Sequence, residues 1–109
     1  LLVSFAISVS LRTARTETHR ARLAVLVDSA CAEALAELAL DPDSPGFADH
    51  PFAGGVIGSA IVEIDELRRD VELTARLGAL ERRVTARVEL SPAGPEVVDW
   101  LPAGVAPAH

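Results

Sequence analysis

The spacing of apolar residues changes along the chain, and each change marks an element. LLVSFAISVSL, Leu1 to Leu11, has no charge, and its only polar side chains are Ser4, Ser8 and Ser10. Serine hydroxyls can bond back to helix carbonyls, so they do not interrupt a helix. Further on, Leu23, Val27, Ala30, Ala34 and Leu38 recur every three or four residues, with Leu26 and Leu35 widening the stripe. Arg22, Asp28, Glu33 and Glu37 lie mainly off that stripe, as in a helix packed on one face. No proline or glycine occurs before Asp41, and Ala, Leu, Arg and Glu dominate. The pattern predicts one helix from Leu1 to about Leu40, on the order of 60 Å long at 1.5 Å per residue. A domain of this size is narrower than that, so part of the helix should project from it.

DPDSPGFADHPFAGG, Asp41 to Gly55, then ends the helix with prolines and glycines and reads as a loop long enough to look functional. Beyond it the period becomes two. Val71, Leu73, Ala75 and Leu77 alternate with polar residues, as do Val84, Ala86, Val88 and Leu90, and Gly78-Ala79 separates the runs. This predicts a β-hairpin with one buried face. AIVEI, Ala60 to Ile64, reads as a third strand after the breakers Gly54, Gly55 and Gly58. A helix over the same stretch competes with it, because Ile61, Ile64, Leu67, Val71 and Ala75 also have helical spacing. The last segment, from Ser91, holds four prolines and reads as an irregular strap, with Val97, Val98 and Trp100 as docking residues. The expected fold is α+β: a long N-terminal α-helix, apolar in its first half and amphipathic in its second, packed on a small antiparallel β-sheet. Its parts are an apolar helix over 1–14, an amphipathic helix over 15–40, a loop over 41–55, a sheet over 56–90 and a tail over 91–109.

Composition narrows the function. At 109 residues the chain fits one domain, and half its residues are apolar, which suits a folded core. The net charge is −6, and every basic side chain is an arginine. Without lysine there is no Schiff-base or P-loop chemistry. An acidic chain whose few aromatics are not interleaved with basic residues is not expected to bind nucleic acid. Cys31, the one cysteine, sits between alanines and reads as a small buried thiol.

The residues for catalysis are scattered. His19, His50 and His109 lack the spacing of a zinc site. Ser29 has no histidine at a useful local spacing, and AGGVIGSA, Ala53 to Ala60, has glycines but no lysine. Asp41, Asp43 and Asp49 are a candidate calcium set, since hard oxygen ligands and loop carbonyls suit that ion. Asp-Pro turns account for the same residues through local backbone bonding.

The order of parts, with LLVSFAIS at Leu1 to Ser8, resembles the type IV pilin-like proteins. RARLAVLVDSACAEALAELAL is similar to the alanine-rich helix that follows the anchor in minor pseudopilins of type II secretion and related minor pilins, and LERRVTARVEL is similar to their late strand. The resemblance implies a structural subunit that assembles through Leu1, Leu2, Val3, Phe5, Ala6, Ile7, Val9 and Leu11, with no catalysis, no cofactor and no small-molecule substrate. Its implied partners are other pilin-like subunits and, before assembly, the bacterial inner membrane, with the globular part periplasmic or otherwise extracytoplasmic. Arg12 and Arg15, with Arg20 and Arg22 behind them, are candidate lipid-headgroup contacts. The leader, the cleavage-site glycine and the glutamate that this family carries before its apolar run are expected upstream of Leu1. Leu1 to Leu11 spans only about 17 Å, so those residues, with Thr13 and Ala14, would complete a membrane-crossing length. Two other readings remain open: a single-pass membrane-anchored binding domain of the envelope, and a soluble helical dimer that buries Leu1 to Leu11.

Overall fold

The structure, a computed structural model, describes the backbone of residues 2–101 and the side chains of residues 18–101. One helix, α1 (Leu2–Leu40), lies across an antiparallel sheet of five strands: β1 (His50–Phe52), β2 (Gly55–Glu63), β3 (Arg68–Leu77), β4 (Leu80–Ser91) and β5 (Gly94–Leu101). The strands follow in chain order, each paired with the next. At 39 residues α1 is about 58 Å long, and it sets the longest dimension of the molecule, 63 Å against 25 and 22 Å.

α1 is continuous because no helix breaker occurs before Asp41-Pro42. Proline disfavours helical geometry in the residue before it, and the chain turns there. Asp41 N donates to Glu37 O, Ser44 N donates to Asp41 O, and the Asp41 carboxylate accepts from Asp43 N. The core of the helix is the expected stripe: Leu23, Leu26, Val27, Ala30, Ala34 and Leu38 are buried together with Cys31. Among the residues whose side chains are described, the first of these is Leu23, about 30 Å along α1.

β3 and β4 meet in the register that the turn at Gly78-Ala79 dictates, with Val71 opposite Ala86 and Leu73 opposite Val84. These residues face the helix, joined by Ile57 and Ala75. The opposite face is a ladder of polar pairs, with Asp70 across from Arg87, Glu72 from Thr85, Thr74 from Arg83 and Arg76 from Glu81. The hairpin is as expected, and the rival helix over residues 61–75 is not formed. Ile64 to Leu67 instead make the β2–β3 turn, closed by Ile64 N donating to Arg68 O.

Three boundaries differ from expectation. The stretch from Asp41 to Gly55 is not all loop: it contains β1, joined to β2 by a two-residue turn at Ala53-Gly54. Both turn residues have positive φ, 48° and 84°, the signature of a type I′ turn that matches strand twist. The segment before β1 continues the pairing, since Ser59 N donates to Phe47 O and Ile61 N to Pro45 O, so this strap covers the outer edge of β2. The third strand begins five residues earlier than Ala60, at Gly55, and ends at Glu63. Gly55 and Gly58 lie inside it because Leu26 and Asp49 close over their bare backbones.

The tail is the third correction. Residues 94–101 are not an irregular strap but β5, reached through a Pro92-Ala93 turn in which Ser91 Oγ accepts from Ala93 N and donates to Gly94 O. A bulge at Arg87/Val88 leaves Val98 between the pairs Val88–Val97 and Arg87–Asp99. Val97 and Trp100 therefore both take the helix side although they are three residues apart, and no period of two marks the strand. Val97 packs against the core, whereas Val98 and Trp100 are exposed.

Gly46 holds the strap in place. Its φ is 101°, and a β-carbon there would collide with the Ser59 carbonyl oxygen. Gly46→Ala is expected to cost about 2 kcal/mol through backbone strain and the forced retreat from β2. Amide exchange at Ser59 and Ile61 should rise with it, and unchanged protection there would show that the strap tolerates a side chain.

Candidate functional site

The helix that should assemble is placed as backbone. Leu2, Val3, Phe5, Ala6, Ile7, Val9 and Leu11 lie on the first turns of α1, followed by Arg12 and Arg15, while Leu1 and all these side chains lie outside the described residues. Among the described residues no helix is long and apolar enough to cross a membrane. α1 reaches the sheet at the end that holds the β1–β2 and β3–β4 turns. The Arg22 guanidinium lies over Gly54 of the first turn, and Leu26 lies over Gly55. On the other flank an open groove of about 170 Å³ runs between α1 and β4–β5, lined by Ala24, Val27, Asp28, Arg82, Val84 and Trp100.

The carboxylates proposed for calcium have separate partners. Asp41 caps the turn at Asp43, Asp43 Oδ1 lies 4.0 Å from Arg69 Nη2, and Asp49 Oδ2 pairs with Arg76 Nη2 at 2.8 Å. The structure does not bring the three together, and among the described residues no group of three or more His, Cys, Asp or Glu is arranged to hold a metal.

Of the other candidates, His19 is exposed on α1 and His109 lies outside the described residues. His50 Nε2 lies 3.1 Å from the Glu33 carboxylate, and its ring rests against Phe47 with centroids 5.3 Å apart, which ties β1 to α1. Ser29 Oγ donates to Val25 O within the helix. Cys31 is buried, and burial, with the Asp28 charge adding to it, pushes its thiol pKa up, so the nucleophilic thiolate is disfavoured. AGGVIGSA forms a turn and a strand rather than a loop before a helix, so it lacks the helix N-terminus on which phosphate loops rely.

Two buried charges escaped the sequence reading. Asp70, 1% exposed, accepts two hydrogen bonds from Arg87, at 3.0 Å from Nε and 3.2 Å from Nη2. Those bonds and the carboxylate charge raise the pKa of Arg87 and hold it cationic. This pair was open to prediction, because the two residues are equidistant from the Gly78-Ala79 turn. Arg69 is 4% exposed and donates to the carbonyls of Pro42, Asp65 and Arg68. Its phase with Val71 and Leu73 separates it from its exposed neighbour Arg68, but the carbonyls that satisfy it come from the loops and the turn.

Ion pairs and carbonyl contacts hold the loops to the sheet. No protein-family model, curated protein or solved structure matches the chain.

Proposed function

We propose that the chain is a structural subunit of a pilin-like filament, a minor pseudopilin or minor pilin serving type II secretion or a type IV pilus. One observation carries the reading: an unbroken helix links the uncharged residues from Leu2 to Leu11 with the stripe from Leu23 to Leu38 that docks on the sheet. A rigid connection of this kind lets an apolar segment be held in lipid, or among other helices, while the domain stays outside. Small residues at Ser4, Ala6, Ser8 and Ser10 suit close helix approach, which favours pilin-like partners. On this reading the subunit sits in the bacterial inner membrane before assembly, its domain is extracytoplasmic, and its work is assembly rather than catalysis.

A charge within the apolar run tests this. Ala6→Glu places a carboxylate where lipid or a helix bundle is expected, at about 2.5–3.5 kcal/mol for a charge at mid-membrane. The membrane and sheared-filament fractions of cells carrying the full-length variant should fall more than tenfold. The thermal melt should not change, because the described core that packs α1 on the sheet runs from Leu23 to Leu38. Assembly unaffected by the charge would overturn the proposal, as would a full-length chain monodisperse without detergent. A chain that stays in the membrane but never enters filaments would favour the anchored binding domain instead.

A further inference from the structure

The sheet has two edge strands, β1 and β5. β1 is three residues long with Pro51 among them, and the strap before it lies along β2. β5 is eight residues long, and among the described residues no strand pairs with its outer side. A strand of that length carrying Val97, Val98, Trp100 and Leu101 is the kind of edge onto which another chain adds. Register decides which of its backbone groups point outward. Leu90 N donates to Leu67 O beside β3, so the even-numbered residues of β4 turn their backbone to β3 and the odd-numbered ones to β5. Ser91, Glu89, Arg87 and Thr85 therefore face Gly94, Glu96, Asp99 and Leu101. The outer side of β5 is left with Pro95, the bulge at Val97 and Val98, and Trp100.

Each of these is blocked in its own way. Pro95 has no N–H to offer. The bulge breaks the even spacing that an incoming strand must match. Trp100 N already donates to Asp99 Oδ1 at 2.9 Å. Asp99 also lies opposite the Arg87 cation across the ladder, so charge attraction as well as the bond keeps the carboxylate at the strand. We infer that β5 is an edge held closed to strand addition, that the Asp99 carboxylate is its latch, and that β5 of a second copy is the strand that adds once the latch is removed. An incoming carbonyl has to displace a charged acceptor from the Trp100 N–H, a stronger bond than the one it would make. A second copy fits because antiparallel pairing about a two-fold axis lets this strand meet itself, apolar residues against apolar residues. The inference uses the sheet alone and stands whether or not α1 is a membrane anchor.

The test compares variants of the full-length chain in a mild detergent, all carrying Ala6→Glu, which is expected to remove assembly through α1. Sedimentation reads association, and amide exchange reads the edge. Asp99→Ala should speed exchange of the Trp100 amide about tenfold in dilute solution, the low end of what a hydrogen bond to a charged group contributes. At higher concentration this variant should self-associate where the parent does not, and exchange over residues 95–100 should slow again as the edge pairs. Asp99→Asn keeps an acceptor oxygen without the charge, and should match the parent in both readings. An Asp99→Ala chain that associates no more than the parent overturns the proposal. Association that leaves exchange over residues 95–100 unchanged places the contact elsewhere and overturns it too. If Asp99→Asn associates as readily as Asp99→Ala, charge rather than the bond to Trp100 closes the edge, and the latch is wrong.

Discussion

Leu73→Ala is expected to lower the unfolding free energy by about 3 kcal/mol, the middle of the range for a buried leucine truncated in a core that relaxes only in part. Leu73 is fully buried on β3, the strand with the most extensive contact with α1. It lies between Ser59 of β2 and Val84 of β4, with Val71 and Ala75 along its own face. The middle strand is hydrogen-bonded on both sides and cannot move toward the helix to fill a void, so most of the cavity should persist. Urea unfolding of the full-length chain in a mild detergent, followed by Trp100 fluorescence, should show a lower midpoint with unchanged slope. A loss under about 1 kcal/mol would mean that the helix is not seated over β3.

Arg69→Met should cost a similar amount, about 3 kcal/mol, for a different reason. Arg69 is on the helix side of β3, in phase with Val71 and Leu73, at the end where the sheet meets the α1–β1 loop. Its guanidinium donates to Pro42 O at 3.2 Å, Asp65 O at 2.6 Å and Arg68 O at 2.9 Å, so one side chain joins the strap to the β2–β3 turn. Hydrogen bonds from a charged donor contribute about 1.5–3 kcal/mol each and are not additive. Methionine fills the space but leaves the Pro42 and Asp65 carbonyls without that donor. Lysine keeps the charge but lacks the planar fork, and should recover little. Amide exchange over residues 42–47 and 64–67 should increase in both variants. If methionine leaves stability unchanged, the burial cost of the guanidinium equals what its bonds return, and the loops are held by the Gly46 and Ser59 contacts instead.

The elements with a clean period were legible in the sequence. The stripe from Leu23 to Leu38 and the alternation from Val71 to Leu77 and from Val84 to Leu90 each repeat long enough for one face to be assigned, and those faces form the core. β1 and β5 were not legible, for separate reasons. β1 is three residues, one of them proline, and depends on a turn whose first residue is an alanine at positive φ. β5 carries proline and a bulge of its own at Val98 that shifts its phase, so its inward residues are unevenly spaced. Both are edge strands, where one partner supplies all the pairing and a weak local preference suffices.

The candidate site divides along the same line. The uncharged run from Leu1 to Leu11 and the continuity of the helix follow from the order of residues alone, because absence of charge and of helix breakers is a local property. The partners of Asp43 and Asp49 and the carbonyls that surround the Arg69 guanidinium are not local. These groups come from the α1–β1 segment, the β2–β3 turn and β3, and they meet because strand register and helix docking bring those segments together. Burial and pairing are free energies of a surface, and that surface exists after the chain has folded.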